Sequence, residues 1–322
     1  MDKVLITGGA GFIGSNLADR LAADGIEVIV YDNLSTGRRE FVRDLDEHPQ
    51  ARVVEGDVLD IEALTEAMAG CDTVFHLAAN ADLRHGLKHP RRDLEQNTIA
   101  TSNVLEAMRA ANVSRIVFAS TGSVYGEPEM FPTPEDCPFP VQTSLYAASK
   151  LAGEGLIAAY CHGYGFTGVV YRFVSILGER YTHGHIFDFV AALRRDPARL
   201  RVLGDGRQEK SYLYVGDCIE AILTGLDAAR PGAFSVFNLG TDETLVVDDS
   251  VAAICAALGV DPQIEHTGGA RGWAGDSPLI HLDTARIRAL GWAPQLTIFE
   301  AVQRTVAWLT AHPSVFAEEA VA

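Results

Sequence analysis

The stretch "TGGAGFIGSNLADRL", residues Thr7 to Leu21, decides how this chain reads. Gly8, Gly11 and Gly14 fall at G-x-x-G-x-x-G, between the β-branched run "KVLIT" and a segment of helical spacing from Phe12 to Ala23. Glycines at this spacing allow a tight turn, a close approach of backbone to a pyrophosphate, and close packing of helix on strand. The helix opening at Phe12, Ile13 and Gly14 then turns free N–H groups and the positive dipole end toward the phosphates. A second strand-like run, "EVIVYDN", ends in Asp32 and Asn33. Asp32 stands about 20 residues on, where a carboxylate accepts hydrogen bonds from the adenosine ribose and repels a 2′-phosphate. The pattern predicts a dinucleotide site, with NAD favoured over NADP. Arg38 and Arg39 in "STGRRE" are the contrary signal, a basic pair either able to receive a 2′-phosphate or simply solvated. Asp57 in "EGDVLD", followed by Val58, ends the next strand; it reads either as a partner for the adenine amino group or as a helix cap.

Outward from the turn the same alternation continues. "ARVVEGD", "DTVFHLAA", "SRIVFAS" and "GVVYRF" are short apolar runs, separated by helical spacing over Arg92 to Ala111 and Tyr146 to Tyr164. Apolar strands alternating with helices predict βαβ units and a parallel sheet covered on both faces. The expected fold is therefore α/β: a Rossmann-type doubly wound parallel sheet over residues 1–172. Residues 173–322 read mainly as a smaller, interwoven α/β substrate lobe, some of whose segments return to the first core. Its helices are expected in "IFDFVAALRR", "VGDCIEAILTGLDAA" and "VDDSVAAICAALG", with the tail after His312 frayed or lightly docked.

Bulk composition narrows the partners. The 322 residues carry a formal charge of −17, which opposes a polyanion, so no nucleic-acid partner is expected; a pocket for a small anion must be locally basic. Apolar runs stop short of the roughly 18 residues of a membrane span, so no membrane association is expected. "MDKVLITGG" runs from an acid into a strand, without the look of a secretory signal. The five cysteines are scattered and never spaced C-x-x-C, as suits a reducing cytoplasm and argues against disulfides or a zinc knuckle. "YTHGHIF" offers His183 and His185, two ligands only, and no metal is expected.

"YAASK", Tyr146 to Lys150, places a phenol and an amine one helical turn apart on one face. Together with the glycine turn, "HLAA" (His76 to Ala79) and "FASTGSVYG" (Phe118 to Gly126), in this order, it makes the chain resemble the extended short-chain dehydrogenase/reductase family. More narrowly, it resembles the nucleotide-sugar epimerase/dehydratase branch, and "GDGRQEKSYLYVGDC" and "RGWAGDSP" extend the likeness through the second lobe. The resemblance implies Tyr146 as catalytic base, Lys150 as its lysine and Thr121 as the hydroxyl that positions the reacting sugar oxygen. It implies a tightly held, regenerated NAD near Leu77, Ala78 and Ala79, with Lys150 on a ribose hydroxyl and Asn97 orienting the lysine. It also implies a homodimer, in which the two long helices pair with their copies. Physically, a tyrosine near pKa 10 is a poor base at neutral pH. A neighbouring ammonium and a nicotinamide cation are expected to pull it down.

The resemblance implies oxidation of a sugar hydroxyl at C4 as the shared first step. Dehydratase and decarboxylase relatives carry an acid two positions before the tyrosine of "VYG"; here Thr121, Gly122 and Ser123 precede Val124 and Tyr125. Without that acid, return of the hydride to the other face is the simplest outcome, and 4-epimerisation of a UDP-sugar is expected. Gly122 and Ser123 are expected at the sugar, and Lys210 and Arg271 on the diphosphate. Lys210 stands where the family usually has Arg, which trades a bidentate fork for a point charge. Ser175, with Arg180 or Arg84 nearby, would suit a 6-carboxylate, making UDP-glucuronate a candidate beside UDP-glucose and UDP-galactose.

Overall fold

The computed structural model describes residues 1–81, 88–138, 141–272 and 279–320. The strands are β1 (Lys3–Thr7), β2 (Glu27–Asp32), β3 (Ala51–Glu55), β4 (Thr73–His76), β5 (Arg115–Thr121) and β6 (Thr167–Phe173). After them come β7 (Ser175–Leu177), β8 (Arg199–Val202), β9 (Glu209–Lys210), β10 (Tyr212–Tyr214) and β11 (Phe234–Leu239). The last are β12 (Leu245–Val246), β13 (Gln263–His266) and β14 (Leu279–Ile280). The helices in the first half are α1 (Phe12–Ala23), α2 (Arg43–Asp46), α3 (Ile61–Ala67), α4 (Pro90–Asp93), α5 (Ala100–Ala110) and α6 (Leu145–Tyr164). Those in the second are α7 (His185–Arg195), α8 (Val215–Asp227), α9 (Val247–Leu258), α10 (Ala285–Arg288) and α11 (Ile298–Ala311).

A seven-stranded parallel sheet in the order β11-β6-β5-β4-β1-β2-β3 forms the centre. Its middle strands are apolar on both sides: Val4, Leu5 and Ile6 of β1 and Ile116 and Val117 of β5 are wholly buried. Helices on both faces supply that cover, α1 against α8 on one and α3, α5 and α6 on the other. The chain order reverses between β1 and β4, which opens a crevice at the carboxyl ends of those strands, the place where such sheets bind ligands. β11, from beyond residue 173, joins the edge of the main sheet beside β6, with Val236 opposite Val170. Three small sheets build the second lobe: β10 with β7, β12-β9-β14, and β13 with β8.

One expectation changes. The helix expected over Arg92 to Ala111 is not uniform, because Leu94–Ile99 is wound as a π-helix between α4 and α5. Within it Asn97 is buried and bonded to the loop after β4 and to α6, which is a reason for the widened turn there. Of the two readings of the tail, docking is the one found: Val315 is buried, its carbonyl accepts from Arg38 at 2.8 Å, and Phe316 stacks on Phe187 with ring centroids 4.8 Å apart. No described helix is long and apolar enough to cross a membrane.

Candidate active site

The glycine turn is built on backbone contact. Gly8 has φ +69°, and a Cβ there would lie 2.6 Å from the Ala78 amide nitrogen in the turn after β4. A Cβ on Gly14 would lie 2.2 Å from the Gly8 carbonyl, so α1 can start this close to β1 only with glycine at that position. Gly11 caps α1 without a side-chain acceptor, leaving the first-turn amides of Phe12, Ile13 and Gly14 for an outside partner. The Phe12 ring itself turns into the core against Tyr181, centroids 5.5 Å apart. Asp32 ends β2 beside this turn, its Oδ2 accepting from the Ala10 amide at 3.0 Å and its Oδ1 from Leu34 at 2.8 Å. Burial lifts its pKa against the pull of those two amides. Asn33 donates to Asp57 at 3.1 Å, and Asp57 also closes a turn onto the Leu59 amide; the cap of α3 is Asp60. Val58 is buried beside them. Arg38, the contrary signal, is held by the Val315 carbonyl, and Arg39 pairs with Asp46 at 3.0 Å. A cleft of about 440 Å³ opens here, lined among others by Asn33, Ser35, Ala79, Asn80 and Arg92.

Behind Ala78 and Leu77 runs a buried chain of hydrogen bonds. The Ala78 amide donates to Thr7 Oγ1 at 3.3 Å, and Thr7 lies 2.8 Å from His76 Nδ1. Thr101 Oγ1 donates to the Asn97 carbonyl at 2.6 Å and lies 3.1 Å from His76 Nε2. Because the Thr101 proton is spent on Asn97, its oxygen accepts, which puts the imidazole proton on Nε2 and lets Nδ1 accept from Thr7. Burial, and then the Lys150 charge, press the His76 pKa down to about 3, so it stays neutral. Asn97 Nδ2 donates to Ser149 Oγ at 2.8 Å and Ser149 to the Tyr146 carbonyl at 2.7 Å. Asn97 thus reaches α6 through Ser149, the neighbour of Lys150.

Ser144 caps α6 by accepting from the Ala147 amide at 3.1 Å, which sets Tyr146 in the first turn and Lys150 in the second. Tyr146 is hydrogen-bonded to Thr121 at the end of β5. Thr121 also accepts from the Ser123 amide at 3.1 Å, which leaves its proton for the phenol oxygen. Lys150 is buried, its Nζ donating to the Ala119 carbonyl at 2.8 Å and lying 4.7 Å from the Phe118 ring centre. The electrostatics correct the simple expectation. Burial raises Tyr146 to about 12, the Thr121 hydrogen bond opposing and the Asp93 carboxylate adding. Burial also lowers Lys150 to about 7, against the pull of Glu154. In the protein alone the phenol is therefore a weaker acid than free tyrosine, because desolvation outweighs the Thr121 hydrogen bond.

On the sugar side, Gly122 and Ser123 lead from Thr121 into a short 3-10 turn, and a Cβ on Gly122 would meet Leu282 at 3.2 Å. Lys210 lies in β9, which pairs with Leu279–Ile280, and Leu282 just beyond that strand meets the Gly122 turn. Arg271 pairs with Glu127 at 2.6 Å, just beyond Gly126. Ser175 starts β7 and is exposed. Arg180 does not join them. It pairs with Asp19 of α1 at 2.7 Å with its guanidinium 6.0 Å from the Phe41 ring centre, drawn there by the opposite charge. Arg84 lies outside the described residues. His185 bonds Ser250 at 2.8 Å and His183 stacks on Tyr181; no cluster of three or more metal-ligating side chains occurs among the described residues. Sequence reasoning missed Asp93, Ser120, Glu154 and Arg172. Only Glu154 had a signal, standing on the face of Tyr146 and Lys150 one turn further along.

A glycine turn at a sheet reversal, with a phenol, an amine and a threonine gathered at the neighbouring strand end, defines a dinucleotide-dependent enzyme of the tyrosine–lysine type. The chain matches the NAD dependent epimerase/dehydratase family over residues 4–240, and it belongs to that family. It is 34% identical to the UDP-glucose 4-epimerase of Mycolicibacterium smegmatis over 312 residues, covering 94% of this chain and 97% of that protein. The structure of UDP-glucose 4-epimerase with UDP-glucose from Thermotoga maritima superposes with a TM-score of 0.88 at 30% identity, covering 97% of this chain and 99% of the other. UDP-glucose 4-epimerase from Thermus thermophilus, solved with NAD, gives 0.84 at 33% identity and covers 96% and 99%.

Proposed function

We propose that this protein interconverts UDP-glucose and UDP-galactose by epimerisation at C4, using NAD that it keeps bound. The residues present fit that cofactor: the glycine turn leaves α1's first amides open, and Asp32 is fixed beside it by the Ala10 and Leu34 amides. Gly8, Gly11 and Gly14 would carry the pyrophosphate, Asp32 the adenosine ribose, and Lys150 the other ribose. Bound there, NAD supplies a reversible acceptor for the C4 hydride. Thr121 would hold the C4 oxygen while Tyr146 Oη takes its proton, leaving a 4-keto sugar. Lys210 and Arg271 would hold the diphosphate, with Glu127 released from Arg271. After the sugar turns over, Tyr146 returns the proton and the hydride returns to the opposite face, so no net oxidation occurs.

One observation carries the choice of reaction: Tyr146 and Thr121 meet at a turn whose next residues are Gly122 and Ser123, neither of them a carboxylate. A neutral hexose is favoured over a glucuronate because Arg180 is committed to Asp19. The protein is proposed to act as a homodimer. Ile99 and Leu145 are exposed, and Ala148 and Ala152 continue an exposed face of small residues along α6 on which a second copy's α6 can lie closely. A cytoplasmic location accords with five free cysteines. The test is a panel of UDP-, dTDP- and GDP-sugars incubated without added cofactor, with products resolved by C4 configuration. UDP-galactose from UDP-glucose is expected, Tyr146→Phe should abolish it while retaining NAD, and release of water or carbon dioxide as the main reaction would overturn the assignment. Light scattering should give a dimer, and a monomer would remove that part.

A further inference from the structure

Three consecutive residues of β5 each dock one residue of α6. The Ala119 carbonyl takes Lys150 Nζ at 2.8 Å, Ser120 Oγ donates to the Glu154 carboxylate, and Thr121 bonds Tyr146. Tyr146, Lys150 and Glu154 are spaced at i, i+4 and i+8, so one face of α6 presents a phenol, an amine and a carboxylate to the end of β5, the amine and the carboxylate buried and the phenol half-buried. Glu154 is 4% exposed. Arg172 of β6 clamps it from the far side, Nε to Oε1 at 3.1 Å and Nη2 to Oε2 at 2.6 Å. Arg172 in turn donates to the Tyr125 hydroxyl at 2.7 Å, and that hydroxyl to Asn238 at 2.7 Å. The carboxylate is therefore held directly by Arg172 and Ser120, with the Lys150 amine one helical turn before it and within reach of its charge.

We propose that Glu154, clamped by Arg172 one helical turn from Lys150, is a positioning residue that keeps Lys150 charged for its work on Tyr146 and the cofactor. That role rests on Tyr146 and Lys150 serving the proposed epimerase chemistry. Burial strips Lys150 of water, and the groups beside it offer little else: the Phe118 ring and Ala119 carbonyl from β5, and neutral His76 from β4. Glu154 is the carboxylate whose charge opposes that loss. The two members of the ion pair should then act on Lys150 with opposite sign. Removing the carboxylate leaves the amine facing a second cation, while removing the guanidinium leaves the carboxylate to the amine alone.

The chain has four lysines, so carbon-labelled lysine gives few NMR signals and Lys150 can be assigned by comparison with Lys150→Met. Titrated in the NAD-loaded protein, Glu154→Gln should deprotonate Lys150 about one to two pH units lower than the parent, the size of one unit charge at close range in a partly polarisable interior. Arg172→Gln should move it up, and Glu154→Asp, which keeps the charge, should stay with the parent. The alkaline limb of kcat/KM should follow the same order. No shift in folded Glu154→Gln, or shifts of the same sign in both charge-removing variants, would overturn the proposal. If Glu154→Gln does not fold, Arg172→Gln decides alone, an unchanged or lowered titration counting against it. The NMR titration needs no turnover, so failure of the epimerase reading, seen as no conversion of any UDP-sugar by the parent, is separate from failure of this one.

Discussion

Consider the phenol of Tyr146 as the cofactor arrives. At about 12 it sits about five pH units above neutrality, and at ~1.36 kcal/mol per unit the phenolate costs roughly 7 kcal/mol. A turnover near 10 per second has a total barrier of roughly 16 kcal/mol, so almost half would go to ionising one side chain. Thr121 already donates to the oxygen, Asp93 opposes, and Lys150, down at about 7, is only half-charged at neutral pH. The remaining lever is a positive nicotinamide ring. A unit charge about 5 Å away at an effective dielectric of about 20 gives roughly 3 kcal/mol, or about two pH units, and more if it drives Glu154 and Lys150 to reorganise. Loading with NAD should therefore lower the Tyr146 titration by about two to four units, whereas NADH, with a neutral ring, should lower it by less than about one. The assay is ultraviolet phenolate difference absorbance, with the Tyr146→Phe protein subtracted, for dinucleotide-free, NAD-loaded and NADH-loaded samples. By reciprocity, NAD affinity must rise with pH by the same factor. Equal titrations in the NAD and NADH forms would refute the electrostatic account and leave Tyr146 without a means of acting as a base.

Gly14→Ala puts a methyl 2.2 Å from the Gly8 carbonyl, and relief by backbone movement at about 1–3 kcal/mol should weaken NAD binding about 5- to 150-fold by calorimetry; unchanged binding would contradict the close approach. His76 makes the fold acid-sensitive. Its folded value of about 3 lies below the unfolded 6.5, so its contribution is complete above 6.5 and is lost as pH falls toward 3. At pH 5 the loss is roughly 2 kcal/mol, and urea melts at pH 7.5 and 5 should show the parent losing that much more than His76→Asn. Asp217 of α8 accepts from the Gln295 and Leu296 amides at 3.0 and 3.2 Å, and Asp217→Ala should cost about 1–3 kcal/mol in the same melts. A loss below about 0.5 kcal/mol would mean water replaces it.

What can be read from residues alone divides along a physical line. The main sheet is legible because each strand is a continuous apolar run and each turn after it is short. The glycine turn is legible because backbone sterics at Gly8 and Gly14 depend on a few neighbouring residues. Tyr146 and Lys150 are legible for the same reason, since four positions on a helix fix a shared face whatever the rest of the molecule does. The π-helical turn at Leu94–Ile99 escapes because its cause is tertiary: Asn97 is bonded to Asn80 and Ser149, and an unbroken helical periodicity conceals that.

Charge is the least legible property. In the sequence Arg180 looks free to meet a sugar carboxylate, yet Asp19 reaches it from a helix formed at the other end of the chain. Helical spacing alone predicts a phenol acidified by its amine, yet Lys150 is buried and Tyr146 half-buried, and desolvation drives each toward its neutral form. The same burial makes the row Tyr146–Lys150–Glu154 responsive. In water, a single added or removed charge at this distance would be worth little, whereas in a dry strand–helix seam it is worth pH units. A site that rests with its base protonated and its amine near its midpoint does little until a cation enters the neighbouring cleft. Cofactor binding and base activation are then one electrostatic event. Ser120 and Arg172, assigned no contact with sugar or dinucleotide, matter to it because they hold the carboxylate that tips the balance.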